Sequence, residues 1–242
     1  DRMGYEYTQE NVKIPAWRTD VLHEVDLIED VAIAYGYENF IPEIPDISTI
    51  GQENQREILK RKMSEILTSL GIIETSNYHL TNKKWQFENM NVRENNFIEV
   101  EESKTDFNIL RKDLTHYLLK IISENSDSEY PQKIFETGNV FELNDGINER
   151  DSLALAISPG NFTDVNQIID YLSKMLDLKI EIKETEKIPS YFIDGRVGSI
   201  NANGKTLGFI GEIHPKILRN WKIKMPVALF EIDLEEIFEK LE

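Results

Sequence analysis

The dipeptide Asn203-Gly204 lies between two runs with strand character, residues 197–202 and 206–213. A two-residue hairpin turn needs positive φ at both central positions, and asparagine and glycine meet that demand at little steric cost. The chain therefore has to double back here into an antiparallel pair. Further strands are expected at residues 72–78, 133–135, 140–143, 153–157, 179–183 and 227–232, with Thr137-Gly138-Asn139 separating the second from the third. Apolar side chains recur at the helical period over residues 54–70 (Ile58, Leu59, Ile66, Leu67, Leu70), about 109–123 (Leu110, Leu114, Leu118, Ile121) and 163–176 (Val165, Ile168, Ile169, Leu172, Leu176). Strands interleaved with helices at uneven spacing, with at least one hairpin, indicate an α+β domain on a largely antiparallel sheet.

A smaller part precedes it. Residues 5–7 resemble a short strand, and residues 11–17 an extended segment that Pro15 confines to an edge or strand end. A helix is expected over residues 24–35, with Leu27, Ile28, Val31, Ala34 and Tyr35 on one face and Gly36 as its stop. Pro42 and Pro45 then stiffen the chain. The domain boundary is placed there, giving residues 1–45 and 46–242.

With 242 residues, 40% of them hydrophobic, the chain can bury one large core and a small appendage. The apolar runs are too short for a membrane-spanning helix, and the absence of cysteine excludes disulfides and thiolate metal sites. A cytoplasmic protein is expected. Its formal charge of −17 repels polyanions, so any RNA contact has to be local, for example at Lys60, Arg61 and Lys62 or at Lys83 and Lys84.

The helix expected over residues 24–35 starts with acids. Asp26, Glu29 and Asp30 stand at i, i+3 and i+4 and share one face, with Asp20 just upstream. Carboxylate oxygens at such spacing suit a hard cation such as Mg²⁺. Acids near a helix N-terminus also favour the helix dipole with no metal at all. Spacing alone leaves both readings open. The four histidines, His23, His79, His116 and His214, have no partners at zinc spacing, and His214 before Pro215 is expected to fix a strand-to-helix turn. Neither phosphate-binding glycine motif is present, nor a nucleophile elbow.

Three stretches in order resemble one family. The first runs Pro15-Ala16-Trp17-Arg18-Thr19-Asp20, then through Glu24, Asp26, Glu29 and Asp30 to Tyr35-Gly36-Tyr37. The second is Asn108-Ile109-Leu110-Arg111-Lys112-Asp113-Leu114 followed by residues 131–141, and the third is residues 208–215 followed by Pro226, Phe230 and Glu231. Together they are similar to the β subunit of phenylalanyl-tRNA synthetase of the archaeal/eukaryotic type. The resemblance implies the end of a winged-helix-like domain, then a class II aminoacyl-tRNA synthetase-like antiparallel sheet flanked by helices. It implies Mg²⁺ at Asp20, Asp26, Glu29 and Asp30, an α subunit as partner in an α2β2 assembly, and tRNA(Phe) in the full complex. It also implies a module without catalysis. Catalytic class II sites hold ATP phosphates with arginines, one two residues before a glutamate, whereas Lys133-Ile134-Phe135-Glu136 has none there. Arg196 is the candidate replacement, with a salt bridge or turn role as the alternative. No stretch matches the family's editing segments, so editing is not expected of this chain. Two further readings compete: a stand-alone Mg²⁺-dependent phosphotransfer enzyme using the four acids, and a free paralogue acting as a binding module.

Overall fold

In the computed structural model, which describes residues 3–8, 11–46 and 51–241, the chain divides into two units, Asp1–Gln52 and Glu53–Glu242. In the first, strand β1 (Glu6–Thr8) pairs antiparallel with β2 (Asn11–Lys13), placing Tyr7 opposite Val12. Helix α1 (Glu24–Tyr35) opens on a His23 cap. Gly36 ends it at φ 94°, a conformation that side chains disfavour. The apolar stripe does lie along the helix but is largely uncovered among the described residues: Ile28, Val31 and Tyr35 are exposed, while Asp30 is the buried residue of the helix. A hairpin of two three-residue strands and a loop are too small to cover a twelve-residue helix.

The second unit begins with α2 (Gln55–Ser69), capped by Asn54, whose side chain accepts from the Arg56 amide. Met63 joins Leu59 and Leu67 on its buried face. Next come β3 (Ile73–Glu74), β4 (Leu80–Thr81), a π-helical turn (Lys84–Glu88), β5 (Ile109–Leu110) and α3 (Thr115–Glu124). A long hairpin follows, β6 (Gln132–Asn144) with β7 (Gly146–Ser158), and then α4 (Phe162–Met175) and β8 (Ile180–Lys183). The chain finishes with β9 (Phe192–Ala202), β10 (Lys205–Ile213), α5 (Pro215–Asn220), β11 (Ala228–Asp233) and α6 (Glu235–Leu241). The β9–β10 turn is at Asn203 (φ 52°) and Gly204 (φ 81°).

Seven strands form a mixed sheet in the order β3-β6-β7-β11-β10-β9-β8. Only β3 and β6 run parallel among its pairs. Because side chains alternate across a strand, each strand feeds two layers. Leu153, Leu155 and Ile157 of β7 join α2, α4 and α6 in one, and Ala154 and Ala156 join α3 and α5 in the other.

Three local expectations change. The strand expected over residues 72–78 is reduced to Ile73–Glu74. The helix expected from about residue 109 begins at Thr115, because residues 109–110 pair with β4 instead. Thr137-Gly138-Asn139 separates nothing: β6 runs through it for thirteen residues. A Cβ on Gly138 would lie 2.4 Å from a guanidinium nitrogen of Arg111, so the glycine serves packing rather than a turn.

Candidate functional site

Two polar networks are candidates, one in each unit. At the start of α1, the Asp26 carboxylate accepts from the Leu22 and His23 amides at 2.8 Å each, and His23 Nδ1 accepts from the Val25 amide. This is a capping box, closing amides that the helix itself leaves unpaired. The His23 and Leu22 amides hold the Asp26 carboxyl below its ordinary range. Arg18 lies between Asp20 and Asp30, with Nη2 2.7 Å from Asp20 Oδ2 and Nη1 2.7 Å from Asp30 Oδ2. Tyr5 also donates its hydroxyl to Asp30. Arg18 lowers both carboxyls, and Tyr5 adds to the effect at Asp30.

Of the four acids expected to bind Mg²⁺, the structure joins Asp20 and Asp30 through a guanidinium, assigns Asp26 to the cap and leaves Glu29 exposed. Among the described residues no three histidine or acidic side chains are grouped to hold a metal ion. The donors have the right chemistry for a hard cation. As arranged they do not fit one, because they do not converge: Arg18 holds both Asp20 oxygens and Asp30 Oδ2, the cap amides hold Asp26 Oδ2, and Glu29 is exposed.

The second network lies on the α3 side of the sheet. Arg111, 1% exposed, donates from Nη1 to Glu136 Oε1 at 2.5 Å, from Nη1 to Asn77 O and from Nε to Asn139 O. Glu136, 2% exposed, also accepts from the Asn77 amide and side chain. Each charge is thus paired and hydrogen-bonded, the condition under which burial is tolerated. Two residues before Glu136, Ile134 is buried in the layer that contains Leu118, Ala156 and Leu229.

Beside this pair, helix α3 receives its N-terminal cap from a distant strand. Leu114 offers no side-chain cap, and Glu231 of β11 accepts from the Leu114 and Thr115 amides, the Thr115 hydroxyl and the Ser152 hydroxyl. Burial pushes the Glu231 carboxyl up to about 7, and the Asp113 carboxylate adds to the push. Burial also works against the Asp113 charge, but His116 holds that carboxyl below its ordinary range. His116 in turn contacts Thr81 at 3.1 Å. Sequence reading included Arg111 and Glu231 only as parts of motifs. A signal was available only for Glu231, a charge between Phe230 and Ile232; Arg111 is followed by Lys112 and Asp113 and does not stand out.

The other expected residues have structural places. Arg196 pairs with Glu212 at 2.6 Å and is largely exposed. His214 caps α5 by accepting from the Lys216 amide. Lys60 holds Glu57 and Asp151, Arg61 holds Glu53 and Glu65, and Lys83 lies 3.7 Å from Glu99. A cavity of about 470 Å³ opens among α2, β6, β7 and α4, lined in part by Lys133, Asp164 and Tyr171. Asp164 is engaged there in capping α4.

Two family profiles match this sequence: the tRNA synthetase B5 domain over residues 1–37 and the phenylalanyl tRNA synthetase beta chain CLM domain over residues 41–234. The phenylalanine–tRNA ligase beta subunit of Pyrococcus abyssi is 37% identical over 99% of this chain and 45% of its own length. That of Pyrococcus furiosus is 36% identical over 98% and 45%, and that of Methanosarcina barkeri 37% over 93% and 41%. The chain spans about half the length of the curated relatives it matches.

Proposed function

Since this chain belongs to the phenylalanyl-tRNA synthetase β-chain family, we propose that it is a non-catalytic structural module of a phenylalanine–tRNA ligase. Its role is to support an α subunit that charges tRNA(Phe) with phenylalanine at the expense of ATP, in an α2β2 assembly in the cytoplasm. The seven-stranded sheet, read as a class II synthetase-like sheet, has lost its chemistry. The observation that carries this reading is the Arg111–Glu136 pair. The glutamate that would face a nucleotide is taken by an internal arginine, and the place for a phosphate-binding arginine holds Ile134 in an apolar layer. Anionic phosphates need a fixed cation, and none stands there.

The test is co-expression with the α subunit from the same source. The expected result is a stable complex that activates phenylalanine, while the isolated chain neither activates it nor binds ATP. Repeated failure to co-purify, or tight ATP binding by the isolated chain, overturns the reading.

Mg²⁺ at Asp20, Asp26, Glu29 and Asp30 is part of the proposal only if Arg18 leaves Asp20 and Asp30. Calorimetric titration should then show weak Mg²⁺ binding by the parent and tighter binding by Arg18→Ala. Equal binding by both would show that the arginine and the metal do not compete.

A further inference from the structure

Between Glu212 and Glu231 the chain has no acidic residue, although 44 of its 242 residues are acidic, and it carries four cations there: Lys216, Arg219, Lys222 and Lys224. All four are exposed on α5 and the turn after it, while the intervening Ile217, Trp221 and Ile223 are buried. Those anchors set the backbone. Ser123 donates to the Trp221 carbonyl at 2.5 Å, and Lys222 takes a positive φ of 58° where the chain turns. A second segment is tied alongside: Lys216 Nζ donates to Asn91 Oδ1 at 2.7 Å and the Asn220 side chain to Asn89 O at 2.9 Å.

Elsewhere the protein neutralises many of its cations; Lys60, Arg61, Lys120, Arg150 and Lys205 each hold a carboxylate. Among the described residues Arg219, Lys222 and Lys224 hold none. We propose that this basic turn docks the phosphate backbone of RNA, an inference that rests on the tRNA-charging role given above and locates a contact for it. Protein partners are met by an apolar or aromatic centre. Over residues 214–226 the exposed apolar side chains are Met225 and two prolines, Pro215 and Pro226, with no exposed aromatic, and the remaining exposed side chains are polar or basic, the character of a nucleic-acid interface. The net charge of −17 does not prevent this. At 0.1 M salt charges more than about 10 Å away are largely screened, so the field at a phosphate is set by its immediate neighbours.

The test is fluorescence anisotropy with a labelled transfer RNA over about 50 to 200 mM salt. It compares the 242-residue chain with the triple variant Arg219→Gln/Lys222→Gln/Lys224→Gln. All three positions are exposed, so the fold should survive, and circular dichroism verifies it. The triple variant is expected to bind at least tenfold more weakly, with the slope of log affinity against log salt reduced by about 3, roughly one per phosphate contact. A control, Lys104→Gln/Lys174→Gln/Lys179→Gln, removes three exposed cations elsewhere and should match the parent. The proposal is overturned if the parent binds no RNA at the lowest salt or if variant and control lose equally. It is also overturned if a polyglutamate peptide binds the turn more tightly than RNA does, which would assign it to an acidic protein. Co-purification of the triple variant with the α subunit separates the two readings: a retained complex with unchanged RNA binding sinks this inference alone, and a lost parent complex sinks the function.

Discussion

Each unit of the molecule has an arginine paired with a carboxylate from another segment, Glu136 for Arg111 and Asp30 for Arg18, but the two arginines sit in different surroundings. The side chains of Arg111 and Glu136 are each 2% exposed, between β6 and the segment before α3. Arg18 is 18% exposed, and its partners Asp20 and Asp30 are 63% and 11%. Around Arg111 the sheet carries apolar layers on both faces. Around Arg18, helix α1 exposes Val25, Ile28 and Val31. Excluding water strengthens an ion pair and also raises the penalty for leaving one of its members alone. The same chemistry therefore acts as a fully buried lock in the second unit and, in the first, as a pin with one partner, Asp20, open to solvent.

The largest effect is expected from Arg111→Met, which leaves Glu136 buried with only Asn77 as partner. Denaturant unfolding should show a loss of about 3–5 kcal/mol, the range for breaking one side of a buried pair. Arg111→Met/Glu136→Gln should recover a substantial part, because no ionised group is then stranded. If the two changes simply add, the cost does not come from a stranded charge.

A smaller, pH-dependent effect belongs to Glu231. Its carboxyl rises from 4.5 to about 7 on folding, so between those values the folded protein keeps a proton that the unfolded chain has released. By linkage this contribution stabilises the fold at low pH and is lost as pH rises from about 4.5 to about 7. Glu231→Gln should flatten that decline, measured by denaturant unfolding at intervals across the window. An unchanged pH profile would remove Glu231 as its source.

Smallest of all is Val31→Ala on the exposed face of α1. With Val31 at 68% exposure, the change in melting should correspond to less than about 0.5 kcal/mol. A loss of ~2 kcal/mol or more would mean that this face is covered in solution and would erase the contrast between the units.

Much of the local structure was legible from residues close together in the chain. The span of α1, the helix over residues 162–175 and the Asn203-Gly204 hairpin depend on periodicity, caps and turn dihedrals within a few positions. The ordered motifs likewise placed the chain in its family. Only the tertiary structure decided that β6 runs unbroken through Gly138, because the reason is Arg111 lying against that glycine. It also decided that α3 is capped by Glu231, more than a hundred residues downstream, and that Asp30 is buried while the stripe beside it is exposed. The acids of α1 were visible as a pattern, but their engagement by Arg18 and by the cap was not. Side-chain spacing defines which groups share a face. Which partner satisfies a charge depends on segments that only folding brings within hydrogen-bond distance.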